Sequence, residues 1–167
     1  HVVLTESNDR IVFGYFNEET DFDPGANENA IDPFGEPDLF LASYSSDNEL
    51  NWVINIGRIA LIDGMTTGGL ALDADGNIYI AGGYSLTVDF DPSSASAPIS
   101  SQGGSDAFLA KYDSEGNFLW VKSFGSPFFE TFTALNVDAQ GNIYSGLRFS
   151  GEVDVNPEGE EQTLIPE

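Results

Sequence analysis

Carboxylates are the residues in this chain best suited to chemistry, and they come in spaced pairs. Asp21 and Asp23 stand in a DFDP run, Asp89 and Asp91 stand in a second, and Asp154 opens the related DVNP. In an extended segment, residues two apart project to the same side, about 7 Å apart along the strand. Two such side chains leaning together, joined by oxygens from backbone, water or a neighbouring unit, could hold calcium, which needs oxygens at about 2.4 Å. Asp21, Asp23, Asp89, Asp91 and Asp154 are therefore candidate calcium ligands. The plainer alternative, which the residue types favour, has them accept hydrogen bonds from turn amides while the proline after the pair fixes an extended conformation before it.

Other chemistries are thinly supplied. The chain has no cysteine, which removes disulfides, thiolate nucleophiles and cysteine-ligated metal centres. Its one histidine is His1, so neither an internal Ser-His-Asp arrangement nor a multi-histidine metal site can be built. Asp73-Ala74-Asp75-Gly76-Asn77 has the opening of a calcium loop but lacks the third acidic position and the distant glutamate, and reads as a hairpin turn. Ser114-Glu115-Gly116 with Trp120 is similar to the Asp-box turn of sialidases, yet serine occupies the position that needs aspartate. Among enzymes, the form these residues supply best is a glycoside hydrolase or lyase with paired carboxylates roughly 5 to 9 Å apart. The carboxylates that stand out here recur along the chain, whereas a catalytic pair usually breaks internal symmetry.

Acidic residues outnumber basic ones 28 to 5, for a net charge of −23 over 167 residues. Nucleic acid and anionic membranes are poor partners for such a surface, and divalent cations or salt would ease its self-repulsion. No apolar run approaches the roughly 18 residues of a membrane span, and no leader-like segment opens the chain. The start at His1 and the stop at Glu167, partway through a repeat, read as a piece of something longer.

The elements that carry the aspartates repeat. Asp21 recurs as Asp89, Asp38 as Asp106 and Trp52 as Trp120, each 68 positions on; Asp89 recurs as Asp154 and Asn77 as Asn142, each 65 on. Agreement among independent markers defines a first unit over 1–57, a second over 65–125 and the first half of a third over 131–167. Each unit reads as four short strands: 2–5, 70–73 and 134–138 come first, then 11–16, 77–84 and 142–149. Third are 39–44 and 107–112, and fourth are 50–56 and 118–124. Asp75-Gly76, Glu115-Gly116, Gln140-Gly141 and Asp47-Asn48 supply tight turns between them. Segments 87–91 and 97–100 either extend the second and third strands or form a separate excursion.

Phe108, Ala110 and Tyr112 should share one face with Leu109 opposite, and Phe118, Trp120 and Phe124 should oppose Leu119 and Val121. Apolar residues on both sides point to sheets covered on both faces. Recurrence of Phe40 as Phe108 and of Trp52 as Trp120 argues for core rather than a sugar-stacking surface, while Phe128 and Phe129, without counterparts, are the better exposed aromatics. Glu158 to Glu161 read as a solvated acidic loop. The fold expected is all-β: four-stranded antiparallel meanders stacked as about two and a half blades of a larger β-propeller. Two and a half blades cannot close a ring, so the open edges must be covered by further sequence, another chain or disorder.

GGSDAFLAKYDSEGNFLWVKSFG, followed by ALNVDAQGNIY and a VDFDP turn, resembles the bacterial SBBP-type β-propeller repeat over nearly the whole chain. That resemblance implies a secreted or cell-surface bacterial protein, and it brings no agreed catalytic residues. The first unit departs from it with Ser7-Asn8-Asp9-Arg10 in place of a Gly-Asn turn, and the third has Asn156 for the second aspartate of DFDP. The function expected is a non-enzymatic structural or binding module in adhesion, recognition or secretion-system cargo. Its partners would be the remainder of its own propeller or another protein chain, with carbohydrate as a further option.

Overall fold

The computed structural model describes residues 1–34, 37–58, 67–93, 95–156 and 158–166. Among them the chain forms sixteen strands and no helix. Sheet I holds β1 (Val2–Leu4), β2 (Arg10–Phe16), β5 (Asp38–Tyr44) and β6 (Leu50–Arg58), in the order β1-β2-β5-β6. Sheet II repeats it with β7 (Thr67–Leu72), β8 (Ile78–Tyr84), β11 (Asp106–Tyr112) and β12 (Phe118–Phe124). The third unit contributes the pair β13 (Glu130–Val137) and β14 (Ile143–Phe149). All pairings between these strands are antiparallel.

Separate two-stranded hairpins are inserted after each second strand, with segments 87–91 and 97–100 forming the second of them. They are β3 (Thr20–Asp21) with β4 (Ala30–Ile31), β9 (Thr87–Asp89) with β10 (Pro98–Ser100), and β15 (Val153–Asp154) with β16 (Thr163–Leu164). Strand positions elsewhere follow the periodicity closely; β13 starts four residues earlier than the pattern suggests. Between the first two units, residues 59–66 lie outside the described residues, and with them the expected start of the second unit at 65. Pro157 of the third motif and Glu167 lie outside them as well.

Register is conserved between the copies. Arg10 faces Tyr44 and Phe16 faces Asp38 in sheet I, just as Ile78 faces Tyr112 and Tyr84 faces Asp106 in sheet II. Each last strand carries one extra residue at the same place: Asn51 between the Tyr44–Leu50 and Ser43–Trp52 pairs, and Leu119 between Tyr112–Phe118 and Lys111–Trp120. This bulge overturns the expected face assignment of β12. An extra residue shifts the alternation by one, so Phe118 joins Tyr112 and Val121 on one face while Trp120 and Phe124 lie on the other.

The sheets stack in series. Ile11, Phe13, Leu39, Leu41 and Ile56 of sheet I share one cluster with Ile78, Ile80, Phe108, Ala110 and Tyr112 of sheet II. On the opposite face of sheet II, Ala81, Ala107 and Leu109 pack with Phe132, Leu135 and Leu147 of the β13–β14 pair. Sheet II is thus covered on both sides by units of its own kind, and every residue of β8 is buried. Close approach of β13 requires Gly68 and Gly69 in β7, because a Cβ on either would overlap Phe132 or Leu135.

Phe108 is fully buried with its ring 4.8 Å from that of Phe90. Replacing it by alanine removes both transfer energy and packing, at a cost of about 3–5 kcal/mol. Because the cluster belongs to both sheets, Phe108→Ala should lower the urea midpoint equally by Trp52 fluorescence from sheet I and Trp120 fluorescence from sheet II, each measured with the other tryptophan replaced by phenylalanine. Two separated transitions would show that the sheets do not fold as a unit.

Candidate functional site

The paired aspartates build the same turn three times. Asp21 Oδ1 accepts the amides of Asp23 at 3.0 Å and Asn29 at 2.9 Å. Asp89 Oδ1 accepts those of Asp91 at 3.1 Å and Ala97 at 2.7 Å, and Asp154 Oδ1 those of Asn156 and Gln162, both at 2.9 Å. In each copy one oxygen therefore closes the turn and pins the strand returning eight residues later. Asp23 and Asp91 do the next step, accepting the amides of Gly25 at 2.8 Å and Ser93 at 2.9 Å. Asn156, standing for the second aspartate, instead donates its side-chain amide to the Glu160 carbonyl at 2.8 Å. Among the described residues, no three His, Cys, Asp or Glu side chains converge as a metal site.

At Asp21 and Asp89 these hydrogen bonds favour the charged carboxylate. Those from Asn29 and Asp23 hold the Asp21 carboxyl below the ordinary range. At Asp89, burial pushes the other way, but hydrogen bonds from Ser96, Ala97 and Asp91 outweigh it and the net shift is again downward.

The residue between the aspartates anchors the excursion to its sheet. Phe22 packs against Phe40 with ring centroids 4.8 Å apart, and Phe90 repeats the contact with Phe108 at the same separation. The Tyr44 hydroxyl donates to the Phe22 carbonyl at 3.0 Å and the Tyr112 hydroxyl to the Phe90 carbonyl at 2.8 Å. Burial, and then the charges of Asp91 and Asp89, raise the Tyr112 phenol well above its usual range, so it remains a donor. Sequence reasoning passed over this lock, although its signal was present: a tyrosine 22 residues after the DFDP phenylalanine, in both complete copies.

A second carboxylate motif closes the hairpins between strands. Asp73, Asp113 and Asp138 each accept, on Oδ1, the amides of the residues two and four positions on, and on Oδ2 the side-chain amide of Asn77, Asn117 or Asn142. Gly76, Gly116 and Gly141 take the left-handed conformation that the turn needs, with φ of +80°, +83° and +81°. The departure in the first unit is one of residues only. Thr5 supplies the accepting oxygen to Asp9 N, and Asn8 takes the positive φ of 65°. The likeness of Asp73–Asn77 to a calcium loop is thus a hairpin, as the residue types suggested.

Three further carboxylates, none of them a site candidate in the sequence, are fully buried. Asp106 accepts the Gln102 amide, and its counterpart Asp38 accepts that of Phe34 at 2.7 Å and the Asn55 side chain at 2.9 Å. Glu130, 1% exposed, accepts the backbone and hydroxyl of Ser126 at 2.8 and 2.7 Å. Burial raises the Asp106 carboxyl, hydrogen bonds from Gln102 offset part of this, and the nearby Glu130 charge adds to it. Closed off from solvent, these acids are held by their own loops rather than presented to a substrate.

Of the aromatics, Phe128 and Phe129 are exposed by 55% and 43%, while Phe108 is core. Asp89 and Asp91 line a groove of about 700 Å³ between the second excursion and residues Val53 to Gly57 of β6. Glu158 to Glu161 are exposed, and Glu158 pairs with Lys122.

Comparison with known proteins fits a repeat protein. No family model matches the chain. Over 113 residues, 59% of its length, the chain is 29% identical to an uncharacterized WD repeat-containing protein of Acanthamoeba polyphaga mimivirus, and covers 8% of that protein. Over 129 residues, 75% of its length, it is 28% identical to the regulatory protein FlaEY of Caulobacter vibrioides, and covers 13% of it. The chain thus spans only a small part of the curated relatives that it matches.

Asp73 gives the turns a pH dependence that can be measured. Burial opposes its ionisation, but hydrogen bonds from Asn77, Lys111 and Tyr79 prevail and hold its pKa at about 2. An unfolded aspartate titrates near 3.9, so this stabilisation is complete above about pH 4 and is lost as the pH falls through 2. Thermal melting should show a decline over that window, and Asp73→Asn should be less stable at pH 6 yet lose less between pH 4 and 2. An equal slope in both proteins would refute the assignment.

Proposed function

We propose that the stacked units are blades of a β-propeller and that the chain serves as a non-enzymatic binding module for protein partners. The observation that carries the reading is the middle sheet. A four-stranded meander covered on both faces by its own repeat, in constant register, is the arrangement of a blade between two neighbours. Similarity to a WD repeat-containing protein supports it, since WD repeats build such blades. The carboxylates argue against catalysis: those that recur close turns, and the buried Asp106 and Glu130 are committed to Gln102 and Ser126. We extend the proposal to a secreted or cell-surface bacterial setting of the SBBP type, on the strength of the motif order alone.

A screen of α- and β-linked oligosaccharides should yield no turnover above buffer. Turnover that disappears with Asp106→Asn or Glu130→Gln, in protein of unchanged circular dichroism, would make this an enzyme with paired carboxylates. Calcium belongs to the proposal as a stabiliser of the DFDP turns through carboxylate oxygens that the amides leave over. It should raise the melting temperature of chelator-treated protein, and Asp91→Asn should reduce that rise; a melting temperature indifferent to calcium would remove it.

A further inference from the structure

We infer that the open edge of β14, with the apolar groove beside it, is the seat of an extended strand of the β5 and β11 type, carrying Asp-x-Phe-x-Ala-x-Tyr and supplied by a further copy of the repeat. The groove has a volume of about 360 Å³ and is lined by Leu109, Phe124, Ile143, Ser145, Val155 and Leu164, among others. One repeat earlier, the same six positions are Leu41, Ile56, Ile78, Ile80, Phe90 and Ile99, all of them in the cluster between sheets I and II. What packs among them there is β11, through Phe108, Ala110 and Tyr112.

Exposure measures the difference between an occupied and an open seat. Ile78 and Ile80 are 0% exposed, whereas Ile143, the counterpart of Ile78, is 36% exposed and Ser145, the counterpart of Ile80, is exposed as well. Along the backbone, β2 pairs with β5 and β8 with β11 in one register, while among the described residues β14 pairs only with β13. That register fixes the incoming strand: its tyrosine lies opposite Ile143 and its aspartate opposite Phe149. The tyrosine hydroxyl then reaches the Val155 carbonyl, as Tyr112 reaches that of Phe90. Its phenylalanine enters the groove against Leu109 and Val155, and main-chain hydrogen bonds along β14 supply the rest of the affinity. The inference needs only the repeat, so it stands or falls apart from the non-enzymatic reading and from calcium.

The probe is a synthetic peptide with the sequence of residues 105–125, added to the whole chain. Binding should be saturable and should slow amide hydrogen exchange along β14 by at least tenfold, with exchange in β8 and β11 as the internal control. A peptide with aspartate at the positions of Phe108 and Tyr112 should do neither. Joined after Pro166 through a flexible Gly/Ser linker, the first peptide should raise the melting temperature above that of the second joined in the same way. Equal melting temperatures, or binding without protection of β14, would overturn the inference. So would β14 protection that grows with chain concentration without peptide, which would give the seat to a second copy.

Discussion

Contact between sheet I and sheet II is the interaction on which the rest of the molecule depends. A four-stranded meander of this length offers two apolar faces and cannot bury either of them by itself. Burying a large apolar side chain is worth about 1.5–3 kcal/mol, and the shared cluster gathers Phe13, Leu41, Ile80, Phe90, Phe108 and Tyr112 at 0% exposure. Its residues come from both sheets, so neither half of the cluster exists without the other. That requirement explains why both faces of β8 are apolar, and why small residues appear in β7 where the third unit approaches.

Stacking also governs the excursions. Phe22 and Phe90 pack on Phe40 and Phe108 of their own sheets, Phe90 within the cluster between sheets I and II, and a tyrosine hydroxyl satisfies the carbonyl that each buries. An unsatisfied buried carbonyl would cost about 1–3 kcal/mol, so ring and hydroxyl act as a pair. Flanking aspartates then fix the turn by capping its amides. Residues that look like a ligand set in the sequence thus flank a plug, with one oxygen of Asp21, Asp89 and Asp154 used on the chain's own backbone.

Most of the strand plan was legible because it rests on short-range signals: Gly or Asn at positive φ, apolar alternation and a fixed period. Phe118 shows where that reading fails. Alternation counts residues, and a bulge that inserts Leu119 changes the count without any local marker in the sequence. Asp38, Asp106 and Glu130 were missed for another reason. A carboxylate buried against loop amides is indistinguishable in one dimension from a solvated one, and only the return of residues 102 and 126 to the sheet separates them. For the DFDP aspartates the plainer alternative named the partners correctly in kind, as turn amides, though not the pinning of the strand eight residues on.

The net charge of −23 takes on a different meaning once the turns are seen. Only two ion pairs with side chains within 4 Å are found among the described residues, Lys111 with Asp73 and Lys122 with Glu158, far too few to balance 28 acids. Backbone amides do part of that work, at Asp21, Asp73, Asp89, Asp113, Asp138 and Asp154. Lowering the pH therefore has two opposed effects, relieving repulsion between distant carboxylates while weakening the acceptors that close the turns. Repulsion acts over distances that salt screens within about 8–10 Å, whereas the turn contacts lie near 3 Å and are screened much less. At physiological ionic strength screening therefore weakens the first effect more than the second. At low ionic strength the balance moves towards repulsion, so salt itself strengthens the stack by letting like-charged sheets approach.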